Sequence, residues 1–240
     1  MKEIRLGIAC PMANEAEDAV RFVRETLARC DGFARVQFFA VLDNANQDNS
    51  LELLRAYAAS EPRLVVVWAP ENRCVVDAYI RGYREALAAG CDWILEIDAG
   101  FSHTPDDIPQ FFEAMAQGYD CVFGCRFMRG AFRTDASLKR YIVSRGGTLL
   151  TNLMLGTGQA DMTSGFELFS RQALEMILER GIRSRAHFFQ TEIKVFCRKL
   201  RSVEVPIRYS SPSPRLKGSA IAESFRELWH LRRRVRSGEV

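Results

Sequence analysis

Apolar residues fall into two alternating patterns along the first half of the chain. Ile4–Ala9, Val36–Leu42, Leu64–Trp68, Trp93–Ile97 and Cys121–Gly124 are short, nearly continuous apolar runs, as expected of strands in a sheet covered on both faces. Between them the spacing turns helical. Ala16, Ala19, Val20, Val23 and Leu27 fall on one helical face, and Asn14 with Glu17 three residues on has the form of a capping box. Ser50–Ala59 and Val75–Ala89 read as helices. Thr104 caps a further helix with Pro105 at its first position, running to Gln117. This β-α-β-α alternation predicts an α/β fold, a mostly parallel sheet with helices on both faces. Ligands of such sheets bind at the carboxyl ends of the strands. Three polar segments lie there: Cys10–Glu15, Asp43–Ser50 and Asp98–His103.

The second half is less regular. Phe127–Ser137 reads as a loop bearing Arg129, Arg133 and Asp135, and Leu138–Leu155 as a long amphipathic helix. A Gly/Thr/Asp-rich stretch, Gly156–Gly165, follows. Phe188–Lys199 looks helical, Val203–Tyr209 looks like a strand, and Ser210–Gly218 is a Pro/Ser-rich loop. Ala220–Arg236 is a basic amphipathic helix. No internal repeat or linker interrupts the chain, which divides into one domain over 1–221 and a C-terminal helical segment over 222–240.

Composition narrows the class. At 240 residues the chain can bury a sizeable core. A net charge of +3 favours no particular partner in bulk, but Arg226, Arg232, Arg233, Arg234 and Arg236 crowd the C-terminal end. Seven cysteines, an odd number without C-x-x-C spacing, read as buried free thiols rather than a disulfide frame or zinc site. Three histidines, at 103, 187 and 230, exclude a His-rich metal centre. No signal-peptide pattern opens the chain, and no apolar run approaches the ~18–20 residues of a membrane span. A cytoplasmic protein is expected, with contact at a membrane surface left open.

The polar segments carry the candidate chemistry. Asp43 to Ser50 offers acceptor-rich side chains for the base and ribose of a nucleotide, or a polar turn in which Asp48 caps the next helix. Asp98 ends a buried strand, where a lone carboxylate must be paired or bind a cation. Gly100 permits a positive φ or a close backbone approach. Neither a dinucleotide fingerprint nor a P-loop is present. On the terminal helix, Phe225, Leu228 and Leu231 lie near one another beside Trp229 and the arginines. This is a membrane-surface helix, or a helix packed on the domain with a solvated basic face. No nucleic-acid-binding motif is present, so no nucleic-acid partner is expected.

Taken in order, these segments resemble a family 2 inverting glycosyltransferase, and most closely the dolichol- or polyprenyl-phosphate mannose synthases. Pro11-Met12-Ala13-Asn14-Glu15 is similar to the family's Pro-x-x-Asn-Glu. Asp43, Asp48 and Ser50 are in register with its Asp-Asp-x-Ser-x-Asp-x-Thr, and Asp98-Ala99-Gly100 with His103 and Pro105 resembles Asp-Ala-Asp-x-x-His-x-Pro. Gly124-Cys125-Arg126, Arg140 with Ser144-Arg145-Gly146, Asp161-Met162-Thr163-Ser164-Gly165-Phe166, Phe189-Gln190-Thr191-Glu192 and Glu204-Val205-Pro206-Ile207 resemble further family motifs. The matches span residues 4 to 221.

The resemblance implies a GT-A-type, Rossmann-like mixed sheet and transfer of one sugar, with inversion, from a GDP- or UDP-sugar to a polyprenyl phosphate or another envelope-related acceptor. It places Pro11, Asn14, Glu15, Asp43, Asp48 and Asp98 with the donor, and Asp98 with a divalent Mg²⁺ or Mn²⁺. A lipid-phosphate acceptor is already an anionic nucleophile, which Arg126 and Arg140 would clamp. A sugar hydroxyl would need a base, for which Asp161 is the first candidate and Glu192 the second. Three departures stand out. Gly100 replaces the second metal aspartate, Ser102 stands where the family often has Gln, and Arg215-Leu216-Lys217-Gly218-Ser219-Ala220 is a shortened form of the family's Arg-x-x-Gly-x-Ser-Lys loop. Lys217 and Arg215 remain for the diphosphate. The departures motivate a competing reading, a catalytically weak or inactive nucleotide-sugar-binding protein or partner subunit. A sugar nucleotidyltransferase is disfavoured, because Cys10-Pro11-Met12-Ala13-Asn14 lacks the Gly-rich basic loop of that class.

Overall fold

A computed structural model describes residues 1–133, 138–210 and 218–240. The first half runs β1 (Arg5–Pro11), α1 (Ala19–Ala28), β2 (Arg35–Leu42), α2 (Ser50–Ala58), β3 (Leu64–Trp68), α3 (Val75–Ala88), β4 (Trp93–Glu96), α4 (Ile108–Ala116) and β5 (Cys121–Cys125). The second half adds β6 (Phe132–Arg133), α5 (Leu138–Leu155), β7 (Glu167–Ser170), α6 (Arg171–Arg180), α7 (Phe189–Phe196), β8 (Ser202–Pro206), β9 (Arg208–Tyr209) and α8 (Gly218–Arg236).

Seven strands form one sheet in the order β3-β2-β1-β4-β7-β5-β8. β1 lies between β2 and β4 and is parallel to both. β7 enters antiparallel between β4 and β5, placing Glu167 beside Glu96 on one side and Phe123 on the other. The sheet is therefore mixed but mostly parallel. Because chain order reverses direction at β1, the tips of β1, β2, β4 and β5 open onto one edge, where a crevice forms. β6 and β9 pair in a small second sheet, and His103 bridges to Tyr209 beside it.

The core lies in two layers. Phe38 and Phe39, adjacent in β2, enter opposite layers, as consecutive strand residues must. Ile8, Phe22, Phe111 and Phe166 fill one side; Tyr83, Phe123, Phe169 and Phe196 fill the other. Each such side chain contributes roughly 1.5–3 kcal/mol when removed from water. Gly82 lets α3 cross β1 closely: a Cβ there would lie 3.0 Å from the Ala9 Cβ. The cysteines are free, and all but the half-buried Cys74 are buried.

Several local expectations are corrected. Asn14 does not cap α1, which begins five residues later at Ala19 with Asp18 before it. Asn14 sits at φ 61°, and its side chain is committed to a neighbouring loop. Asp48 lies one residue before the formal N-cap, Asn49, yet its carboxylate caps α2 as expected by accepting the Ser50 N–H at 2.9 Å, whereas Asn49 makes no side-chain cap bond. Residues 166–187, given no element from the sequence pattern, hold β7 and α6. The signals were local: the Ser170 hydroxyl accepts the Ala173 N–H at 3.3 Å, and Gly181 at φ 74° ends the helix. On α8, Leu228 and Leu231 are buried in the core, whereas Phe225 and Trp229 face outward. Only the latter two of the apolar group are available at the surface. Among the described residues, no helix is long and apolar enough to cross a membrane.

Candidate functional site

The crevice is built from two loops that hold each other. Beyond Pro11, at the tip of β1, the Asn14 side chain donates to Ala45 O at 3.0 Å and accepts the Gln47 N–H at 2.8 Å. The Asn14 N–H is bound by Asn46 Oδ1 at 3.1 Å. Asp48 receives the Ser50 hydroxyl at 2.6 Å and the Ala16 N–H at 3.0 Å. The Ser50 hydroxyl bond is the main reason its carboxyl is held below the usual range. Asp43 closes its own turn by accepting the Ala45 N–H at 2.9 Å. These residues shape the loops that line a groove of about 300 Å³ bordered by Asn14, Glu15, Asp18 and Asp48.

Asp98 follows β4 into the same crevice. One of its oxygens accepts the Tyr79 hydroxyl, and Tyr79 is itself packed on Phe189 at 5.1 Å. Its other oxygen lies 3.6 Å from His103 Nδ1. His103 is fully buried between Phe166 and Tyr209; burial lowers its pKa, partly opposed by Asp98. Its Nδ1 has no hydrogen-bond partner among the described residues. The chain then turns sharply, with Gly100 at φ 69° and Phe101 at φ 57°. A non-glycine residue in this conformation costs about 1–2 kcal/mol. Phe101 is held there by Phe22 at 5.1 Å and by the Arg21 guanidinium at 4.3 Å. The bend points Gly100 at Glu15: a Cβ on Gly100 would lie 2.8 Å from Glu15 Oε2. Burial raises the Glu15 pKa, and Asp18, Asp48 and Asp98 raise it further.

At the β5 tip, Arg126 grips Asp161 through Nε to Oδ2 and Nη2 to Oδ1, both at 2.8 Å. Nη2 also reaches the Thr163 hydroxyl at 2.5 Å. Burial pushes the Asp161 carboxyl up, but Arg126, aided by Lys194, overcomes this and holds it well below the usual range. Lys194, fully buried, donates to Asp161 O at 2.9 Å and Ser164 O at 3.0 Å and pairs with Glu167 at 3.0 Å. Buried Glu96 beneath them accepts from Tyr83 and Gln190. The sequence pattern assigns no supporting role to Tyr79, Tyr209 or Lys194, and contains Gln190 only as part of the Phe189–Glu192 motif. For Tyr79 and Tyr83 the readable signal was a phenol repeated at helical spacing on a buried face, where each hydroxyl requires a partner.

Glu192 is elsewhere. It is buried, accepts the Arg183 and Ser184 N–H groups, and pairs with Arg234 at 2.6 Å. The pair fastens α7 to α8. Arg140 falls in the first turn of α5 with its side chain outside the described atoms, and Arg215 and Lys217 lie outside the described residues.

Glu15 and Asp48 line the groove, Asp98 and His103 face each other at 3.6 Å, and Arg126 and Asp161 pair at the β5 tip. Mg²⁺ and Mn²⁺ take one or two carboxylates and leave other positions to water and substrate phosphates. Glu15 and Asp98 are two carboxylates that such an ion would use, and the buried His103 Nδ1 beside Asp98 lacks a hydrogen-bond partner among the described residues. Among the described residues, no group of three or more His, Cys, Asp or Glu side chains is placed to hold a metal ion.

The sequence model of Glycosyl transferase family 2 matches residues 8–178. The chain is 31% identical over 171 residues to an undecaprenyl-phosphate mannosyltransferase of Micrococcus luteus, covering 70% of each chain. It is 26% identical to a polyprenol monophosphomannose synthase of Mycolicibacterium smegmatis, over 96% of this chain and 89% of that one. Its fold resembles glucosyl-3-phosphoglycerate synthase of Mycobacterium tuberculosis in complex with UDP, with a TM-score of 0.67 at 14% identity, covering 95% of this chain and 80% of that chain. The same enzyme with Mn²⁺, UDP and phosphoglyceric acid matches with a TM-score of 0.61 at 17% identity, covering 97% and 76%.

Proposed function

Because the chain belongs to glycosyl transferase family 2 and is a glycosyltransferase, we propose that it moves one hexose, with inversion, from a GDP- or UDP-linked donor to a polyprenyl phosphate. The names of the two curated relatives support mannose and the lipid-phosphate acceptor. The observation that carries the acceptor half is the state of Asp161. Its carboxylate is buried, doubly bound by Arg126 and held far below neutrality. Glu192 is similarly tied to Arg234. Neither is placed to take a proton, so the acceptor should be one that needs no base. A phosphate monoester is such an acceptor.

In this reading the acceptor phosphate oxygen bonds to the anomeric carbon as that carbon's bond to the diphosphate oxygen breaks. The nucleoside diphosphate leaves from the opposite face, which inverts the configuration. Pro11, Asn14, Glu15, Asp43 and Asp48 are proposed to shape or line the donor groove, and Asp98 to meet the diphosphate. Arg215 and Lys217 are proposed as diphosphate contacts, and Arg126 and Arg140 as groups orienting the acceptor phosphate. A bound Mg²⁺ or Mn²⁺ would neutralise charge on the leaving diphosphate.

A lipid acceptor calls for a membrane-facing side. On α5, Ile142, Leu149 and Leu153 are exposed, and on the packed neighbour α8 Phe225 and Trp229 are exposed. Arg232 and Arg233 each lie 5.9 Å from the Trp229 ring. Apolar anchors ringed by cations suit an anionic lipid surface. We place residues 1–221 as the catalytic unit and the following helical segment as part of this contact, at the inner face of the membrane. The Met162 N–H donates to Thr148 of α5 at 3.3 Å, so the same helix reaches the Asp161 loop.

The test is release of nucleotide from a panel of GDP- and UDP-sugars, with polyprenyl phosphate and Mn²⁺ present or withheld. Release that depends on the lipid phosphate is expected. Release no greater than background with every donor contradicts the proposal.

A further inference from the structure

Asp98 alone is a poor half of a cation site, and the loop that follows it gives nothing at the next family position. Gly100 has no side chain and lies at φ 69°, where an L residue is strained. The space beside it is nevertheless filled. An ideal Cβ on Gly100 would lie 2.8 Å from Glu15 Oε2 and 3.0 Å from Oε1. The Glu15 carboxylate therefore stands where a side chain from position 100 would begin.

The Glu15 backbone is anchored at this point of the loop. Its N–H donates to the Ser50 hydroxyl at 2.8 Å. Asp48 holds that same hydroxyl and also binds the next N–H, of Ala16. Asp98 has one oxygen engaged by Tyr79, and the other faces His103 Nδ1 at 3.6 Å. That nitrogen is buried and has no hydrogen-bond partner among the described residues, so a polar atom points at Asp98 without being satisfied. The groove edge beside Glu15 also carries Asp18 and Asp48. A diphosphate approaching these carboxylates would be repelled unless a cation came with it.

We infer that Glu15 supplies the carboxylate that Gly100 lacks, so that the cation–diphosphate site is shared between the β1 loop and the β4 tip. The inference rests on the proposed nucleotide-sugar site and names the residue that completes it. One consequence is steric. Gly100→Asp alone should not restore a two-aspartate site, because the new side chain would meet the Glu15 carboxylate. The substitution needs Glu15 shortened at the same time.

The experiment is calorimetric titration of GDP and UDP into the full chain, with and without Mn²⁺, alongside Mn²⁺ paramagnetic resonance. Thermal melting checks that each variant is folded. In the wild-type chain Mn²⁺ should tighten binding of the preferred nucleotide about tenfold or more, a scale already reached by outer-shell partners of bound cations. In isosteric Glu15→Gln the ratio of the two Kd values should fall close to one, and the nucleotide-dependent Mn²⁺ signal should disappear. Glu15→Ala combined with Gly100→Asp should recover part of the ratio, which Gly100→Asp alone should not. Full Mn²⁺ enhancement in Glu15→Gln overturns the inference, as does wild-type binding that is indifferent to Mn²⁺; both leave the nucleotide-sugar reading standing. Absence of any nucleotide binding, with or without Mn²⁺, overturns that reading and this inference together.

Discussion

Arg126 and Asp161 form a bidentate pair at 2.8 Å per bond, with Asp161 fully buried and Arg126 9% exposed. Removing one partner of such a pair leaves a buried charge uncompensated and typically costs about 3–5 kcal/mol. Asp161→Asn should therefore lower stability to urea by about 3 kcal/mol. If Asp161 positions Arg126 rather than accepting a proton, the variant should lower the whole pH–rate profile without changing its shape. A wild-type acid limb above about pH 5 that vanishes in Asp161→Asn would assign it the role of base.

Glu192 and Arg234 make the corresponding pair between α7 and α8. Each is nearly fully buried, and Arg234 also donates to Arg180 O at 2.8 Å. Glu192→Gln should destabilise the fold by about 3 kcal/mol while leaving transfer per folded molecule within about twofold if the pair serves only to fasten α7 to α8. A double-mutant cycle with Arg234→Met should give a coupling energy of about 1 kcal/mol or more. Loss of turnover in a fully folded Glu192→Gln protein would contradict this assignment.

Glu167 links stability to pH. Burial pushes its carboxyl up from 4.5 to about 7, against the pull of Lys194. Between those values the folded state holds a proton that the unfolded chain has released. Its contribution is present below the unfolded value and is lost as pH rises through the folded one, with a slope up to about 1.4 kcal/mol per pH unit. Urea midpoints should fall between pH 5 and pH 7.5, and Glu167→Gln should flatten that decline. An unchanged slope in the variant would show that other groups produce it.

What could be read from the sequence follows what is local. Leu64–Trp68 and Leu138–Leu155 form the elements their patterns predict, to the residue, because an apolar run and helical spacing are recorded in neighbouring positions. The Asp98 tip was legible for the same reason. Asn14 was misread because its partners, Ala45 and Gln47, lie more than thirty residues away; that long-range clamp outweighs a capping box. The antiparallel entry of β7 depends on a chain reversal that no local pattern encodes. On α8 the sequence shows an apolar group, but only packing decides that Leu228 and Leu231 turn inward while Phe225 and Trp229 turn outward. Glu15 over Gly100 is a relationship across 85 residues, invisible in either motif alone.

The outward stripe on α8 gives a further prediction. Binding to vesicles containing anionic lipid should weaken in Trp229→Ala, and in a variant carrying Arg226→Gln, Arg232→Gln and Arg233→Gln. Each basic residue near such a surface contributes about 1 kcal/mol, so the triple variant should lose on the order of a hundredfold in partitioning at low salt. The wild-type signal should fall as salt rises. Leu153→Ser on α5, 81% exposed, should weaken binding without affecting stability. Equal sedimentation of all these variants with vesicles would remove this surface from the account.

An inverting transfer to a lipid phosphate that requires no protein base is read from the product itself. Purified protein would be incubated with GDP-mannose, the other GDP- and UDP-sugars, polyprenyl phosphate and Mn²⁺, and the lipid product analysed by mass spectrometry and by NMR of its anomeric proton. The expected product is a polyprenyl phosphate carrying one hexose, with anomeric configuration opposite to that of the donor and one nucleoside diphosphate released per product. A product with retained configuration, or sugar placed on a hydroxyl acceptor while the lipid phosphate goes unused, would contradict it.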